Sequence, residues 1–387
     1  MSNPKEKPLK VLFISSGLEA GGAEGMLLRV LEHVDRERLM PEVISLTGIG
    51  EIGGRIRELG IQVHDLGMSR SGLQVPVLSF FRLRRMIKVI NPDVVQTWQY
   101  HADLLGGLAA RLAGIKTVSW GIRNGELPPE HSKFSTQVVR RICSWLSYWL
   151  PKKILFNSRE AQAVHATVGY DERKFEVIPN GFDIHEDRTN TETRATVRRE
   201  LDLPECTLLV GFFARIDPVK NHEGFLEAAA LIHADLPEVH YVMAGRNVGE
   251  SNQDLLRMIE DYKLSKFVHL LGHRNDIKKL MTGIDVHVSA SHTEAFPNVI
   301  GEAMAGGTPS VATDVGDSAW IIGDTGKVVP RGNMQALAEG VTDLLMMPLE
   351  NRQALGRKAR ARIKEEFEIG KVAALYQHFF FHLADSR

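Results

Sequence analysis

The chain has 387 residues, of which 43% are hydrophobic and 25% charged, and its formal net charge at pH 7 is −1. A single hydrophobic core stops growing before a chain reaches this length, so the length predicts two domains. The balanced charge gives no general attraction to nucleic acid, which is therefore not an expected partner. Cys143 and Cys206 are the only cysteines; they give no disulfide framework and suit a reducing compartment.

In the first half of the chain, short β-branched runs alternate with helical patterns. The apolar run VLFISS near the start is too short for a signal peptide or a membrane span, so we expect a cytoplasmic protein. Strands are predicted at 10–15, 42–46, 93–97, 153–157 and 174–178. Apolar residues at helical spacing predict a helix over 23–33. This alternation predicts a parallel sheet covered on both faces.

The same alternation restarts after a polar segment, 185–200, which is typical of a linker and a first helix. Further strands are predicted at 208–213, 239–244, 268–271, 286–290 and 310–313, with helices over 221–233 and 252–262. We therefore predict an α/β protein with two doubly wound Rossmann-like domains, 1–184 and 185–369, that face each other across a cleft. The aromatic segment 370–387 is predicted to form a helix that crosses back to the N-terminal domain.

The stretch SHTEAFPNVIGEAMAGG starts at residue 291 and places Glu294 before a short apolar helix and Glu302 inside it. Pro297 suits the first helical position, so the amides of Asn298 and Val299 would form an anion site with the helix dipole. Carboxylates there would accept hydrogen bonds from hydroxyls, Glu302 from a diol such as ribose and Glu294 from a sugar. The alternative is a capping carboxylate followed by a solvated helix face.

The segment GFFARIDPVKN, residues 211–221, places Arg215 and Lys220 in the turn after a predicted strand. Two cations at the carboxyl edge of a sheet, facing a helix amino end, would hold a diphosphate. The sequence has no convincing DxD motif or histidine cluster, so no metal site is expected, and these cations would stabilise a leaving diphosphate in place of a metal ion. The alternative is a surface loop with solvated charges.

The segment SSGLEAGGAEG, residues 15–25, is a glycine-rich turn that opens a helix but matches neither G-x-G-x-x-G nor the P-loop. Gly21 and Gly22 would let a ligand approach the backbone closely, although a purely structural turn has the same composition. Of the 15 histidines, His101 is the best placed for the predicted cleft, because it follows the strand that ends near Thr97.

In chain order, these segments resemble the signatures of a retaining glycosyltransferase of family 4 with the GT-B fold. The matching segments are GGAE (21–24), VIPNGFD (177–183), ARIDPVKN (214–221), LGHRND (271–276), the pair Glu294 and Glu302, EAMAGGTPSVATDVG (302–316) and GDTGKVVP (323–330). Each segment alone is a weak signal, whereas the ordered set runs over nearly the whole chain and is specific.

The resemblance implies a nucleotide-diphosphate sugar, UDP- or GDP-linked, as the donor substrate and no separate cofactor. Arg215 and Lys220 would hold the diphosphate. Glu294 would contact the transferred sugar, assisted by the backbone amides of 296–299, which include those of Phe296 and Val299. Glu302 would bind the ribose hydroxyls.

The resemblance also implies that the His273–Arg274 loop lies against the base and that the glycine loop at 21–22 lies under the phosphates. The anomeric configuration would be retained without a metal, by a front-face mechanism in which the departing phosphate helps to deprotonate the acceptor. This mechanism needs no enzymatic nucleophile, and no obvious nucleophile and base pair stands out in the sequence.

The sequence departs from the family pattern at two positions. Members often end the strand at 93–97 with a histidine near the anomeric centre, where this chain has Thr97-Trp98. His101 lies a few residues later and is the candidate for that role. The usual glycine after the motif's phenylalanine is Pro297, which would alter the amide contacts to the sugar.

The first domain would select the acceptor. SFFRLRRMIKVI (79–90) and STQVVRRICSWLSYWLPKK (135–153) mix basic and aromatic residues, a pattern typical of interfacial helices and also of ordinary packing helices with solvated ends. We expect a saccharide or lipid-linked saccharide acceptor, as in surface polysaccharide or glycan biosynthesis, and peripheral contact with the inner membrane. The rival interpretations are a nucleotide-sugar epimerase, which should carry added acid/base groups beside the sugar, and a non-catalytic nucleotide-sugar-binding protein.

Overall fold

The computed structural model describes residues 7–68, 77–127, 132–184 and 190–385, with the backbone alone described for Asn190 and Thr191. The chain forms two compact units, Met1–Gly181 with Ile369–Arg387, and Phe182–Glu368. The sequence predicts these boundaries slightly later in the chain, at 184/185 and 369/370. The first residues of the predicted linker, 185–189, lie outside the described residues.

The first unit is built on a parallel sheet. Its described strands are β1 (Leu9–Ser15), β2 (Leu39–Ser45), β3 (Gln62–Asp65), β4 (Val94–Trp98), β5 (Val118–Ile122), β6 (Lys153–Phe156) and β7 (Phe175–Val177). The helices between them are α1 (Gly22–His33), α2 (Gly50–Glu58), α3 (Val77–Ile90), α4 (Tyr100–Leu112), α5 (Phe134–Leu146) and α6 (Arg159–Val168). The strand order is β3-β2-β1-β4-β5-β6-β7, and every neighbouring pair is parallel. The order changes direction between β1 and β4, which makes this pair the switch point of the sheet.

The second unit repeats the design. Its described strands are β8 (Leu209–Phe213), β9 (His240–Ala244), β10 (Val268–Leu270), β11 (Val286–Ser289), β12 (Ser310–Thr313) and β13 (Lys327–Val329). Its helices are α7 (Asn190–Glu200), α8 (His222–Asp235), α9 (Gln253–Asp261), α10 (Ile277–Gly283), α11 (Asn298–Ala305), α12 (Ser318–Ile322), α13 (Met334–Met346) and α14 (Leu349–Glu366). The parallel strands follow the order β10-β9-β8-β11-β12-β13, so the switch point lies between β8 and β11.

The last helix, α15 (Ile369–Asp385), returns to the first unit and packs against α1. Its aromatic residues lie in the core of that unit. The Phe380 ring centroid is 5.6 Å from that of Phe13, and the Tyr376 centroid is 6.2 Å from that of Trp98. The prediction that the aromatic C-terminal helix crosses back to the first domain is confirmed.

A buried cluster around Asp285 holds the amino edge of the second sheet together. Arg194, Arg198 and Arg352 donate to the Asp285 carboxylate over 2.6, 2.6 and 3.0 Å. The Leu209 amide donates to the same carboxylate over 2.9 Å. The Arg198 side chain is fully buried, and burial lowers its pKa to about 10 despite the carboxylate beside it. The cluster links α7, β8, β11 and α14 through one charged centre.

The α/β fold with two parallel sheets is confirmed, but the strand prediction is incomplete. It omits β3, β5 and β13, all of which have five residues or fewer. In β5, Gly121 interrupts the β-branched pattern because β4 approaches closely: a Cβ at 121 would lie 2.5 Å from the Thr97 carbonyl oxygen. Within the described ranges, we find no helix with the length and apolar composition needed to cross a bilayer.

Candidate active site

An ion pair joins the carboxyl ends of β8 and β11 at the switch point of the second sheet. The Lys220 ammonium donates to Oε1 of Glu294. The Ser291 hydroxyl donates to the same carboxylate oxygen over 2.8 Å. The two charged side chains are only 20% and 13% exposed, so their attraction is less screened by solvent than that of a surface pair. Two of the predicted site residues are therefore in direct contact.

The loop that carries Glu294 is fixed by main-chain bonds to its neighbours. The His292 amide donates to the Val219 carbonyl over 2.8 Å, which ties this loop to the one after β8. The Asp317 amide donates to the Ala295 carbonyl over 2.9 Å. Gly316 has φ of +55°, and a Cβ there would lie 2.5 Å from the Ala295 carbonyl oxygen. Only glycine fits that backbone without displacing the Glu294 loop.

Arg215 lies in the same turn as Lys220 but is 58% exposed. Its Nε and Nη2 donate to one oxygen of Asp217, over 3.1 and 2.7 Å. The other Asp217 oxygen accepts the Val219 amide over 3.2 Å and so caps the one-turn 3₁₀ helix Pro218–Lys220. Burial acts to raise the pKa of Asp217, but the bonds from Arg215 and the Val219 amide prevail and hold that pKa below its ordinary value. Asp217 therefore stays ionised and orients Arg215.

The helix after Glu294 begins one residue later than predicted. Pro297 is the N-cap and not the first helical residue, because its backbone is extended (ψ 91°) while its carbonyl accepts the Ile300 amide over 3.1 Å. Asn298 and Val299 form the first turn, which carries the positive end of the helix dipole. Glu302 lies about one turn further along α11 and is partly exposed.

The Phe296 side chain belongs to the core. It is 5% exposed and stacks on Phe182 with a centroid distance of 6.2 Å. It also contacts Trp320 and Phe367 edge-on, at 6.0 and 5.8 Å. The buried ring leaves only the Phe296 backbone for a contact with a ligand.

Arg274 is held by two carboxylates of the second unit. Its Nε and Nη2 donate to both oxygens of Asp276, each over 2.7 Å, and Nη2 also donates to Glu200 over 2.6 Å. These bonds raise the pKa of Arg274. The bonds to Asp276 have the largest effect, and the bond to Glu200 adds to it. The adjacent Gly272 amide donates to the Val248 carbonyl over 2.7 Å, which joins the loops after β9 and β10. The Arg274 guanidinium is thus engaged in bonds to protein carboxylates, whereas the neighbouring His273 is exposed.

In the first unit, the Glu24 side chain packs against the predicted glycine loop. Gly21 is the N-cap of α1, and both Gly21 and Gly22 are exposed. A Cβ at Gly21 would lie 2.3 Å from a carboxylate oxygen of Glu24. The other Glu24 oxygen accepts Nε2 of Gln99 over 3.1 Å. Burial raises the pKa of Glu24 above its ordinary value, so this carboxyl is a weaker acid than a solvated one.

His101 lies in the first turn of α4, after the switch-point strand β4, and is exposed. Partial desolvation lowers its pKa, and Lys133 lowers it further. The preceding Gln99 has φ of +78°, a strained conformation for a residue with a side chain. In the first unit, His101 and the glycine loop therefore follow β4 and β1, the two strands of its switch point.

Sequence reasoning missed two residues that shape these loops, Ser291 and Gln99. Asp217, by contrast, is at the centre of the turn that the sequence predicts between Arg215 and Lys220. Ser291 precedes Glu294 by three residues, the spacing of a local turn bond, and could have been found from sequence. Nothing local identifies Gln99. Among the residues that the structure describes, no group of three or more His, Cys, Asp or Glu side chains could hold a metal ion.

Two parallel α/β units, with candidate ligand residues after the switch-point strands of each, define a GT-B class of protein. Comparison with known proteins agrees with this. The Glycosyltransferase Family 4 model matches residues 20–186, and the model of glycosyl transferases group 1 matches residues 193–362. The chain belongs to the GT-B glycosyltransferases of the family 4 type, and the resemblance to this family and fold is confirmed.

Two relatives illustrate the similarity. The UDP-Gal:alpha-D-GlcNAc-diphosphoundecaprenol alpha-1,3-galactosyltransferase of Escherichia coli is 28% identical over 244 residues, which cover 61% of this chain and 62% of that enzyme. The D-inositol 3-phosphate glycosyltransferase of Mycobacterium tuberculosis is 29% identical over 261 residues, which cover 66% of this chain and 52% of that enzyme. In both cases the aligned region spans less than two thirds of the relative's length.

Solved structures show the same fold. Anabaena Alr3699/HepE in complex with UDP and glucose has a TM-score of 0.82 at 22% identity, covering 97% of this chain and 100% of that one. The same protein in complex with UDP-glucose has a TM-score of 0.81, also at 22% identity, covering 98% of this chain and 100% of that one.

Proposed function

We propose that this protein is a retaining, metal-independent glycosyltransferase. It moves a sugar from a nucleotide-diphosphate sugar to a saccharide or lipid-linked saccharide acceptor in surface polysaccharide or glycan biosynthesis. The observation that carries the proposal is the Lys220–Glu294 pair at the switch point, because it sets a cation for phosphate beside a carboxylate for sugar hydroxyls. Family membership supports the same reaction class.

In the proposed complex, Lys220 and Arg215 bind the diphosphate together with the first-turn amides of α11. The diphosphate replaces Glu294 as the anionic partner of Lys220, and the carboxylate then accepts hydrogen bonds from the sugar. Glu302 accepts the ribose hydroxyls. Cations that meet the charge developing on the leaving diphosphate lower the barrier, since they bind it more tightly in the transition state.

The proposed reaction breaks the bond between the anomeric carbon and the diphosphate oxygen, and the acceptor oxygen bonds the same carbon from the same face. The acceptor proton passes to the departing phosphate oxygen, which balances the step without an enzymatic base. His101 is proposed to contact the sugar near its anomeric centre, and the 21–22 turn to contact phosphate. The exposed His273 and the backbone of its loop are proposed to contact the base, because the Arg274 guanidinium is engaged elsewhere.

The acceptor is proposed to be lipid-linked. The Escherichia coli relative is named for a diphosphoundecaprenol-linked GlcNAc acceptor and a UDP-Gal donor. Complexes of Anabaena Alr3699/HepE contain UDP and UDP-glucose, which favours a UDP-linked over a GDP-linked donor. A lipid-linked acceptor presents its saccharide at a membrane, so we infer a cytoplasmic protein with peripheral contact to the inner membrane face.

A panel of UDP-, GDP- and ADP-sugars in thermal unfolding tests the donor. A true donor at 100-fold over its dissociation constant stabilises the fold by about 2.7 kcal/mol. NMR of the product reports the anomeric configuration, and assays with excess EDTA report any metal requirement. Conversion of donor without acceptor would indicate the epimerase instead, and binding without either conversion would indicate a non-catalytic binding protein.

A further inference from the structure

A cavity of about 800 Å³ lies in the first unit, away from its switch-point loops. The residues that line it include Asp93 before β4, Thr117 before β5 and Lys152 before β6. These strands are parallel, so their amino ends meet at one edge of the sheet, opposite the edge that carries Gly21 and His101. The cavity is therefore a second feature of the unit and not part of its candidate active site.

The charge in this cavity is strongly positive. The cations among its described lining residues are Arg111, Lys116, Lys152 and Lys174. The lining carboxylate is that of Asp93, and it already accepts the Lys10 amide over 3.0 Å. Arg111 donates to the Lys116 carbonyl over 3.1 Å, a neutral acceptor that leaves its positive charge uncompensated. An anion is the natural ligand for such a lining.

Lys174 is a partly buried lining cation that shares its carboxylate partner with a second cation. Its Nζ donates to the carbonyls of Ser147 and Tyr148, each over 2.8 Å. The Asp171 carboxylate is 3.8 Å away and accepts two shorter bonds from Arg173, over 2.8 and 3.0 Å. Burial lowers the pKa of Lys174, so an anion in the cavity would stabilise its charged form.

An exposed aromatic cluster borders the cavity. Trp149 lines it, and the Trp145 ring packs edge-on against Trp149 with a centroid distance of 4.9 Å. Tyr148 is 6.0 Å from Trp149. The three residues are 65%, 45% and 59% exposed in the order Trp145, Tyr148 and Trp149. Large aromatic rings exposed beside cations are typical of proteins that rest at the membrane–water interface.

Among the described residues, exposed large hydrophobic side chains are concentrated in the first unit. Of 14 large hydrophobic side chains that are exposed among the described residues, only Met346 and Leu349 lie in the second unit. Trp145, Tyr148 and Trp149 belong to this exposed set and lie beside the cavity at the amino edge of the sheet. Leu78, Phe81 and Phe134 also belong to it, but they lie near the starts of α3 and α5, on the carboxyl side of the sheet.

We propose that the basic cavity and its aromatic rim form a docking site for a membrane that carries anionic phosphate headgroups. Trp145, Tyr148 and Trp149 enter the interfacial layer of the membrane, and the cavity cations bind a headgroup phosphate. This deepens the peripheral contact proposed above by naming the surface and the lipid chemistry, and its test requires no glycosyl transfer.

The test is cosedimentation of the full chain with vesicles of phosphatidylcholine, with and without phosphatidylglycerol, at low and high NaCl. We expect binding to the anionic vesicles alone, weakened by salt. Tryptophan fluorescence should shift to the blue on binding, because Trp145 and Trp149 leave water. Equal binding to pure phosphatidylcholine, or no binding to anionic vesicles at low salt, would overturn the proposal.

Matched variants locate the surface. The double variant Arg111→Glu and Lys116→Glu should weaken partitioning onto anionic vesicles by about thirtyfold or more, since each basic residue near such a surface contributes about a fivefold factor. Trp145→Ser with Trp149→Ser should remove the fluorescence shift. The controls are Arg357→Glu with Lys358→Glu, and Met346→Ser with Leu349→Ser, all exposed positions of the second unit. If the control variants lost as much vesicle binding as the cavity and rim variants, the assignment of the docking site to this surface would be overturned.

A soluble-anion arm separates the two sources of phosphate. Inorganic phosphate and glycerol 3-phosphate are each titrated into the protein and their binding is measured by calorimetry. Each compound is also tested as a competitor of vesicle binding. Tight binding of either without vesicle binding would make the cavity a site for a free phosphorylated compound and reject the membrane. Donor-induced thermal stabilisation is measured in parallel on each variant: its retention with lost vesicle binding supports the docking site, whereas its absence in the parent chain counts against the proposed function alone.

Discussion

The Lys220 ammonium donates to the Glu294 carboxylate across 74 residues of sequence. Both side chains follow switch-point strands and are mostly buried, so each holds the other in place before any ligand arrives. A phosphate that displaces Glu294 from Lys220 exchanges one anion for another and leaves the carboxylate available for hydroxyls. The pair thus provides a physical link between binding of diphosphate and positioning of the sugar.

Lys220→Ala should abolish donor-induced stabilisation and lower kcat by a factor of about 10² to 10³, the usual cost of losing one group that stabilises the transition-state charge. The measurement is thermal unfolding with the identified donor, followed by initial rates. Lys358→Ala, an exposed lysine of α14, is the control and should behave as the parent chain. Full donor stabilisation in Lys220→Ala would contradict its assignment to the diphosphate.

Glu294→Ala should retain nucleotide binding and lose transfer, because its proposed contact is with the sugar and not with the nucleotide. Titration with UDP and with the UDP-sugar separates the two contributions. Glu302→Ala should instead weaken both UDP and the UDP-sugar, since ribose is common to them. Unchanged turnover in Glu294→Ala would reject the proposed sugar contact.

Gly316→Ala should destabilise the fold more than Gly332→Ala. Both glycines have positive φ, +55° and +76°, so each alanine carries the left-handed penalty of about 1 to 2 kcal/mol. A Cβ at Gly316 also collides with the Ala295 carbonyl, whereas at Gly332 it meets open space. We expect a further loss of about 1 to 3 kcal/mol at Gly316. Urea unfolding measures the free energy of unfolding of both variants. Equal losses of stability would show that the Glu294 loop moves to accommodate the added Cβ at little cost.

Asp285→Ala should destabilise the second unit by about 3 to 5 kcal/mol, because it leaves the buried Arg198 cation without its carboxylate. Asp254→Ala removes an exposed pair with Arg257 and should cost less than about 1 kcal/mol. Chemical denaturation of both variants provides the comparison. Similar small losses would show that the arginines are satisfied by backbone carbonyls alone.

Stability should fall as the pH drops below 6.5, in part through His287. Burial lowers its pKa to about 3, whereas the unfolded chain protonates this imidazole near the ordinary value of 6.5. The unfolded state then binds more protons, and unfolding becomes easier by about 1 kcal/mol for this residue between pH 7 and 5.5. Burial raises the pKa of Asp103 to about 8, so this carboxyl stabilises the folded state as the pH falls, which is opposite to the effect of His287. The contribution of His287 is therefore measured by comparing a His287 variant with the parent chain.

The measurement is the change in unfolding free energy between pH 7 and 5.5. His287→Asn should show a smaller loss than the parent chain, by about 1 kcal/mol. The same substitution at the exposed His378 is the control. An identical pH dependence in His287→Asn and the parent chain would show that the imidazole is not held neutral by the fold.

Arg274 and Gln99 show why part of the site could not be predicted. The segment LGHRND contains Asp276, one of the two carboxylates that fix the Arg274 guanidinium, but the other, Glu200, is 74 residues away on α7. Gln99 adopts positive φ although its sequence neighbours give no turn signal. Both depend on how α7 and β4 pack against the rest of their units, which local spacing does not encode. The roles of the predicted site residues in binding and transfer stay predictions.

The sequence by itself determined the alternation of strands and helices, the two-domain α/β class and the family, because these rest on local periodicity and on ordered short segments. Only the tertiary structure decided the strand order, and with it which loops meet at each switch point. It also decided that Phe296 is a core residue, that the Glu24 side chain packs against Gly21, and that four cations line one cavity at the amino edge of the first sheet. The physical reason is that such contacts join residues far apart in the chain, and packing of the whole sheet brings them together.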